Sequence, residues 1–397
     1  MNLLRRSLLG LLLTAALGLG ANPVERLQQR IDAGEVRLEY TAPRGYLDSL
    51  LEAFGIDPQT QTLVFSKTSA QFRLISPRSP RAVYFNDDVY VGWVRGGPIL
   101  EISTADTERG AAFYVLLQDA NAKPKLMRDV GGQCLQCHES GRTGRVPGHL
   151  TRSLYVAPDG QPELRLGSVD VDQTTPLSER FGGWFVTDAV FDHRGNQLLT
   201  SPNDTETTTP VWFEDVPRNE EYLRRDSSVL AHLLLAHQTQ THNRIARAGL
   251  EARKAIEYRD EMRRLFGGPS EETEASVKRR IAAPAEELLD YLLFSKEAAL
   301  PPGRYADTPF ARSFSQRGPL YALDLRTRLL RVPLSYLIAS ESFDALPPET
   351  LDYLRGRFVQ ILEGEDKSGR FAHLTPADRE AVRRLLQAEK PGFLPAN

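Results

Sequence analysis

The two cysteines of this chain, Cys134 and Cys137, lie three positions apart in a sequence of 397 residues. A disulfide between residues so close together would close a loop too short to hold a fold of this size. Stability therefore has to come from a hydrophobic core, and a chain with 41% hydrophobic residues is able to form one. The cysteine pair therefore has a role other than a fold-stabilising disulfide.

The first residues follow a pattern of their own. Arg5 and Arg6 precede an apolar run, Leu8 to Leu19, and small residues follow it. This order is typical of a secretory signal peptide, so we expect residues 1–21 to be removed and the protein to be periplasmic or secreted. The alternative is an uncleaved N-terminal anchor, although the run is short for a membrane span of about 20 residues.

Charge and hydropathy limit the partners. The net charge is −3 and the sequence pI is about 6.2, which argues against binding to nucleic acid. A membrane helix requires an apolar stretch of about 18 residues or more. After the N-terminal run, the sequence contains no second stretch near this length. We therefore expect no integral membrane segment in the mature form.

The remaining sequence divides into three regions by its local patterns. Residues 22–118 begin with helical spacing and continue in short β-forming runs, with Asn86-Asp87 and Gly96-Gly97 as turns, which predicts helices and then a small antiparallel sheet. Residues 119–210 are rich in Gly, Pro, Asp and Arg and show little periodicity. Residues 211–397 are mainly helical. The predicted fold class is α+β, mainly helical, with a loop-rich central region.

Capping residues predict where the C-terminal helices begin. One long helix is expected from about Ser227 to Leu265, since no proline interrupts it. Another is expected from Ser270 to Phe294, with Pro284 as a kink or a break. Thr375 has the features of an N-cap that opens a final helix.

The cysteines belong to the segment Cys134-Leu135-Gln136-Cys137-His138, which is the attachment pattern of c-type haem. Two thiols add across the two vinyl groups of one porphyrin edge, and a two-residue gap presents both sulfurs on one turn. The adjacent histidine is then placed to bind the iron, and histidine is a common proximal ligand. The pattern predicts one covalent haem c, with Cys134 and Cys137 forming the thioethers and His138 binding iron.

Three other interpretations of the cysteine pair stay open. A thioredoxin-like redox pair has the same spacing, but it normally follows a strand and opens a helix within a βαβ unit. A structural zinc site usually requires a second pair of Cys or His ligands, and the chain has no second cysteine pair. The third interpretation is a chance match. Export and the lack of other cysteines favour haem.

From Cys134 to Pro147 the chain resembles c-type cytochromes. In the small soluble members, a proline carbonyl some distance downstream commonly accepts a hydrogen bond from the proximal histidine, which implies Pro147 as the partner of His138. Beyond this segment the chain is similar to larger exported bacterial proteins with a single attachment motif, in three stretches: Tyr84 to Trp93, Cys134 to His149, and Gly182-Gly183-Trp184. The resemblance implies haem binding and export but no substrate.

The distal iron ligand is less constrained. Met127 precedes the motif and Met262 lies far along the long helix, so neither follows the usual order of a distal methionine. His149 is close to His138 in sequence for a ligand on the opposite haem face. His237, on an apolar helical face, and His193, in a polar turn, are the candidates for the distal ligand, with five-coordinate iron as the alternative.

These features lead to a functional expectation. The main hypothesis is a mono-haem electron-transfer protein that exchanges electrons with a redox partner protein of unknown identity. The alternatives are a haem enzyme acting on a small molecule such as a peroxide or an oxyanion, and a haem-based sensor.

Overall fold

The computed structural model describes residues 20–201, 207–268, 270–301 and 303–395. Residues 1–19, which form most of the predicted signal peptide, lie outside the described residues. The fold is α+β, as predicted, with a β-rich first half and a helical second half.

A seven-stranded antiparallel sheet forms the centre of the first half, with the strand order β6-β5-β4-β3-β2-β1-β9. Two further pairs, β7 with β8 and β10 with β11, form small antiparallel ribbons. The strands are β1 (Thr62–Val64), β2 (Arg81–Phe85), β3 (Val89–Val94), β4 (Ile99–Asp106), β5 (Gly110–Leu117), β6 (Leu126–Arg128), β7 (Arg152–Leu154), β8 (Ser168–Asp170), β9 (Trp184–Phe185), β10 (Gln197–Leu199) and β11 (Thr208–Pro210).

The two predicted turns join strands of this sheet. Between β2 and β3 the Asn86 carboxamide oxygen accepts hydrogen bonds from the backbone N–H groups of Asp88 and Val89, at 3.0 and 2.8 Å. This side chain closes the turn locally, as asparagine commonly does. Gly96 lies between β3 and β4 with φ +68°, a left-handed conformation that glycine adopts without steric cost.

Nine helices of the described part of the chain pack around the sheet or against one another. They are α1 (Pro23–Asp32), α2 (Leu47–Phe54), α3 (Leu135–His138), α4 (Val229–Phe266), α5 (Glu271–Leu292), α6 (Pro309–Ser315), α7 (Glu341–Asp344), α8 (Pro348–Glu363) and α9 (Pro376–Glu389). Ser228 caps α4, Ser270 caps α5 with Pro284 inside the helix, and Thr375 caps α9, so the three predicted helix starts are confirmed.

The sheet is covered on both faces, which explains why every residue of β3 is buried. Since neighbouring side chains of a strand point to opposite faces, Tyr84 and Trp93 pack with the layer of α1 and α2. Phe85 and Tyr90 pack with the layer that contains the start of α4. The central region 119–210 takes part in this arrangement, because β6 and β9 are strands of the same sheet.

The first half of α4 lies inside the molecule, so that residues 229–243 are all buried. Polar side chains in such a position need hydrogen-bond partners, because an unpaired buried polar group destabilises the fold. Several of them find those partners in the segment that follows the cysteine motif. Within the described ranges, no helix combines the length and the apolar character required to cross a bilayer.

Candidate functional site

The cysteine motif forms a single helical turn beside the edge of the sheet. The N–H groups of Cys137 and His138 both donate to the Cys134 carbonyl, at 3.2 and 3.0 Å. The N–H of Cys134 donates to the Asp129 carboxylate at 2.7 Å, which fixes the turn directly after β6. Both thiols are free, with Cys134 half-buried and Cys137 exposed.

His138 is held with one ring nitrogen committed and the other open. Its Nδ1 lies 2.9 Å from the Gly148 carbonyl oxygen, and its ring packs on Phe113 with centroids 4.8 Å apart. Because a carbonyl only accepts, Nδ1 carries the proton and Nε2 keeps a lone pair. Burial lowers the pKa of His138, which keeps the imidazole neutral. This is the tautomer that a metal-binding histidine requires.

The predicted role of Pro147 is corrected by one residue. The carbonyl that accepts from His138 is that of Gly148, and the Gly148 N–H donates back to the His138 carbonyl at 2.8 Å. The Pro147 carbonyl lies next to Gly110 instead. A Cβ added to Gly110 would be 2.8 Å from the Pro147 oxygen. The pair of bonds between residues 138 and 148 fixes which carbonyl faces the ring.

The next residue, His149, is tied to α4 by one side chain. Asn243 accepts a hydrogen bond from the His149 N–H and donates one to the His149 carbonyl, both at 2.8 Å. The His149 ring lies 4.3 Å from the Tyr90 ring, and its Nδ1 contacts the Ser103 hydroxyl at 3.3 Å. Tyr90 and Ser103 are direct partners in the β3–β4 register, so the sheet forms the floor beneath this histidine.

His149 directly follows Gly148, whose carbonyl oxygen contacts Nδ1 of His138. A haem held by the motif would be bound through the other ring nitrogen, Nε2. The connection of one residue from Gly148 is short, which argues against His149 as a second ligand of such a haem.

A hydrogen-bond chain through the core fixes a further histidine, His242. The Tyr336 hydroxyl donates to Gln238, and the Gln238 amide donates to the Tyr90 hydroxyl, both at 3.0 Å. The Tyr90 hydroxyl is thereby directed to donate to Nδ1 of His242, 2.9 Å away. Nδ1 then acts as the acceptor, so the single ring proton of neutral His242 lies on Nε2.

The Nε2 atoms of His149 and His242 are both buried, and neither has a hydrogen-bond partner among the described residues. The two ring centroids are 5.7 Å apart. A buried unpaired polar group destabilises a fold by about 1–3 kcal/mol. Both nitrogens are thus left without a partner from the described part of the chain.

The structure does not support His237 as the distal ligand. Its Nδ1 contacts the Gln173 carboxamide oxygen and its Nε2 contacts the Ser335 hydroxyl, both at 2.8 Å. Its ring stacks on Phe294 with centroids 4.5 Å apart. With both nitrogens hydrogen-bonded and the ring enclosed, His237 is a structural residue of the core.

His193 also lies away from the motif. Its Nδ1 accepts from the Gly195 N–H at 2.9 Å, and its ring contacts Phe181 and Phe191. The ring of His138, in contrast, packs on Phe113. None of the described contacts brings His193 to His138, so the structure offers no support for it as the distal ligand.

The state of the thiols bears on the thioredoxin-like interpretation. Burial, together with a hydrogen bond to Asp129, raises the pKa of Cys134 to about 12. A redox-active pair requires the opposite, because the thiolate is the reactive form and its pKa is lowered in such sites. Across the described ranges, no group of three or more His, Cys, Asp or Glu side chains is arranged to hold a metal ion.

Sequence reasoning identified the motif but missed the residues that support it. Gly148 and Asn243 carry no pattern of their own, and they are separated from their partners by up to 94 positions. The glycine is required because a Cβ at Gly148 would lie 2.3 Å from the Asn243 oxygen. The sequence signal was the position of Gly148 next to a proline and a histidine, which marks a constrained loop without naming its partner.

No protein-family model, no curated protein and no solved structure matches the chain. Its function is therefore inferred from the residues of the site.

Proposed function

We propose that this chain is an exported mono-haem c-type cytochrome that transfers electrons, with Cys134 and Cys137 as the thioether residues and His138 as the iron ligand. The observation that carries the proposal is the fixed orientation of His138. Its Nδ1 is bound to a backbone carbonyl, so its Nε2 keeps a lone pair, and the same helical turn carries Cys134 and Cys137, neither of which is in a disulfide.

The donor set of the motif fits a covalent haem. Both sulfurs come from one helical turn, and the histidine follows the second sulfur on the same turn. The hydrogen bond at Nδ1 prevents the ring from turning and raises its basicity toward a metal. Phe113 packs against the ring and limits its movement further.

Exposure of the motif favours electron exchange with a partner. Cys137 is exposed and Cys134 is half-buried, so a porphyrin joined to them would be attached near the surface. When bound, the haem supplies an iron that takes up one electron from a reduced partner protein and returns it to an oxidised one. The chain would hold the haem through Cys134, Cys137 and His138, with Phe113 of the sheet packed against the histidine ring.

The first test is covalent attachment. The full chain is produced in a bacterium competent for cytochrome c maturation, purified and denatured. We expect the red pigment to stay with the unfolded wild-type polypeptide, and the double variant Cys134→Ser/Cys137→Ser to lose it. Colourless wild-type protein, or pigment that washes away on denaturation, would refute the proposal.

Carbon monoxide then separates electron transfer from the two alternatives, a haem enzyme and a haem sensor. A reduced spectrum that carbon monoxide leaves unchanged indicates a filled sixth position, which suits an electron carrier. A prompt spectral change indicates an open position and contradicts the electron-transfer part of the proposal while leaving haem attachment intact.

A further inference from the structure

We infer that Asn243 of α4 is a positioning residue for the haem ligand, and that it sets the reduction potential of the iron by fixing the carbonyl that faces His138. The inference rests on the proposed haem attachment. Asn243 lies more than a hundred residues after the motif in sequence.

The first step is the contact between Asn243 and the loop. The side chain is buried, with 2% of its surface exposed, and its amide makes two hydrogen bonds of 2.8 Å to the main chain of His149. One amide that both accepts from and donates to the same residue fixes position and orientation together. The loop after the motif is therefore anchored on the buried first half of α4.

The second step is the peptide unit that links Asn243 to His138. The N–H of His149, which donates to Asn243, and the carbonyl of Gly148, which accepts from His138, belong to the same planar peptide group. A planar group transmits any displacement of one end to the other. Hydrogen bonding at the N–H also polarises the carbonyl and makes it a better acceptor.

The third step is the close approach that this arrangement needs. A Cβ at Gly148 would lie 2.3 Å from the Asn243 oxygen and 2.9 Å from its Cγ. Only glycine leaves room for the amide at this point. Gly148 and Asn243 are thus structurally coupled, and a change in either is expected to displace the Gly148 carbonyl from Nδ1 of His138.

The consequence for the iron follows from the chemistry of the ligand. A strong hydrogen bond from Nδ1–H to a carbonyl increases the electron donation of the imidazole, which stabilises ferric over ferrous iron. If the carbonyl is no longer fixed, that bond lengthens and the donation falls. Loss of the Asn243 amide is therefore expected to shift the reduction potential to a more positive value.

The test uses the full-length holoprotein. Asn243→Leu removes both hydrogen bonds at similar volume, and Gly148→Ala displaces the amide from the loop side. Thr241→Val is the control, because Thr241 is buried on the same helix but bonds only to the His237 carbonyl within that helix. Reduction potentials are measured by spectroelectrochemistry, and the ferric ligand field by electron paramagnetic resonance.

We expect wild-type haem content in all three variants, a more positive potential in Asn243→Leu and Gly148→Ala, and no shift in Thr241→Val. If Asn243→Leu fails to fold, Gly148→Ala decides the question alone. Equal potentials in Gly148→Ala or Asn243→Leu and in wild type, with haem attached, would overturn this inference and leave the proposed function intact. Absence of haem from wild type would overturn the proposed function instead.

Discussion

His237 and His242 are both almost fully buried on α4, with 1% and 3% of their surface exposed. Both nitrogens of His237 are hydrogen-bonded, whereas only Nδ1 of His242 has a partner among the described residues. Their difference lies in the neighbours: the former faces Gln173 and Ser335, the latter Tyr90. For two histidines on the same buried helix, the neighbouring side chains therefore decide whether a ring nitrogen is hydrogen-bonded.

Buried histidines also make the stability depend on pH. Burial lowers the pKa of His232 from 6.5 to about 4. The unfolded chain therefore binds a proton between these two pH values that the folded chain does not, so the free energy of unfolding rises with pH across this interval and levels off above it. One pKa unit corresponds to about 1.4 kcal/mol, so His232 contributes up to about 3 kcal/mol to that rise.

The substitution His232→Gln tests this expectation. Chemical denaturation at several pH values should show a smaller rise in unfolding free energy from pH about 4 to 6.5 than in wild type. Thr239→Val is the control, because Thr239 is buried on the same helix and has no titratable group, so its change should leave the slope as it is. An unchanged slope in His232→Gln would contradict the buried, neutral state of His232.

At the scale of an element, the register of the sheet determines what lies beneath the site. Tyr90 pairs with Ser103, and Ser103 pairs with Phe113, so these three side chains form one row across β3, β4 and β5. The row contacts the rings of His138 and His149. A slip of one residue in the register of any of these strands would turn that strand's member of the row to the opposite face.

Helix α4 presents Asn243 to the main chain of His149 and His242 to Tyr90 of that row, so its N-terminus needs to be well defined. The Ser228 hydroxyl accepts a hydrogen bond from the Ala231 N–H at 3.2 Å. We expect Ser228→Ala to lower the unfolding free energy by about 1 kcal/mol, and Ser228→Asn, which retains a capping oxygen, to lower it much less. Thermal unfolding of the two variants compares them directly, and equal losses would show that the cap does not matter.

At the scale of the whole molecule, ion pairs hold the helical half together. Glu286 of α5 binds Arg357 of α8 at 2.5 Å and Arg370, which precedes α9, at 2.6 Å. The three side chains are only 17–30% exposed. Because one carboxylate serves two guanidinium groups, its loss leaves both with fewer partners.

We expect Glu286→Gln to lower the free energy of unfolding by about 2 kcal/mol, with a smaller loss at high salt. Glu380→Gln is the matched control, since its ion pair with Arg384 is exposed and such pairs contribute at most about 1 kcal/mol. Urea denaturation of both variants provides the comparison. Equal effects of the two substitutions would show that the ion pairs of Glu286 with Arg357 and Arg370 stabilise the fold no more than an exposed pair does.

The sequence by itself determined the features that depend on neighbours a few residues apart. The helical turn at Cys134–His138, the turns at Asn86 and Gly96 and the caps at Ser228 and Thr375 are local, because the atoms that interact are separated by one turn at most. The α+β class follows from the same local periodicities. These expectations are confirmed for the turns, the caps and the fold class.

The tertiary structure alone decided the contacts that join distant segments. It placed β9 beside β1, directed the Gly148 carbonyl rather than that of Pro147 at His138, and enclosed His237 between two polar partners. A periodic pattern shows that a residue is buried but carries no information on which residue lies opposite. That pairing follows from the packing of the sheet against α4, which is why Asn243 came to light only in the folded chain.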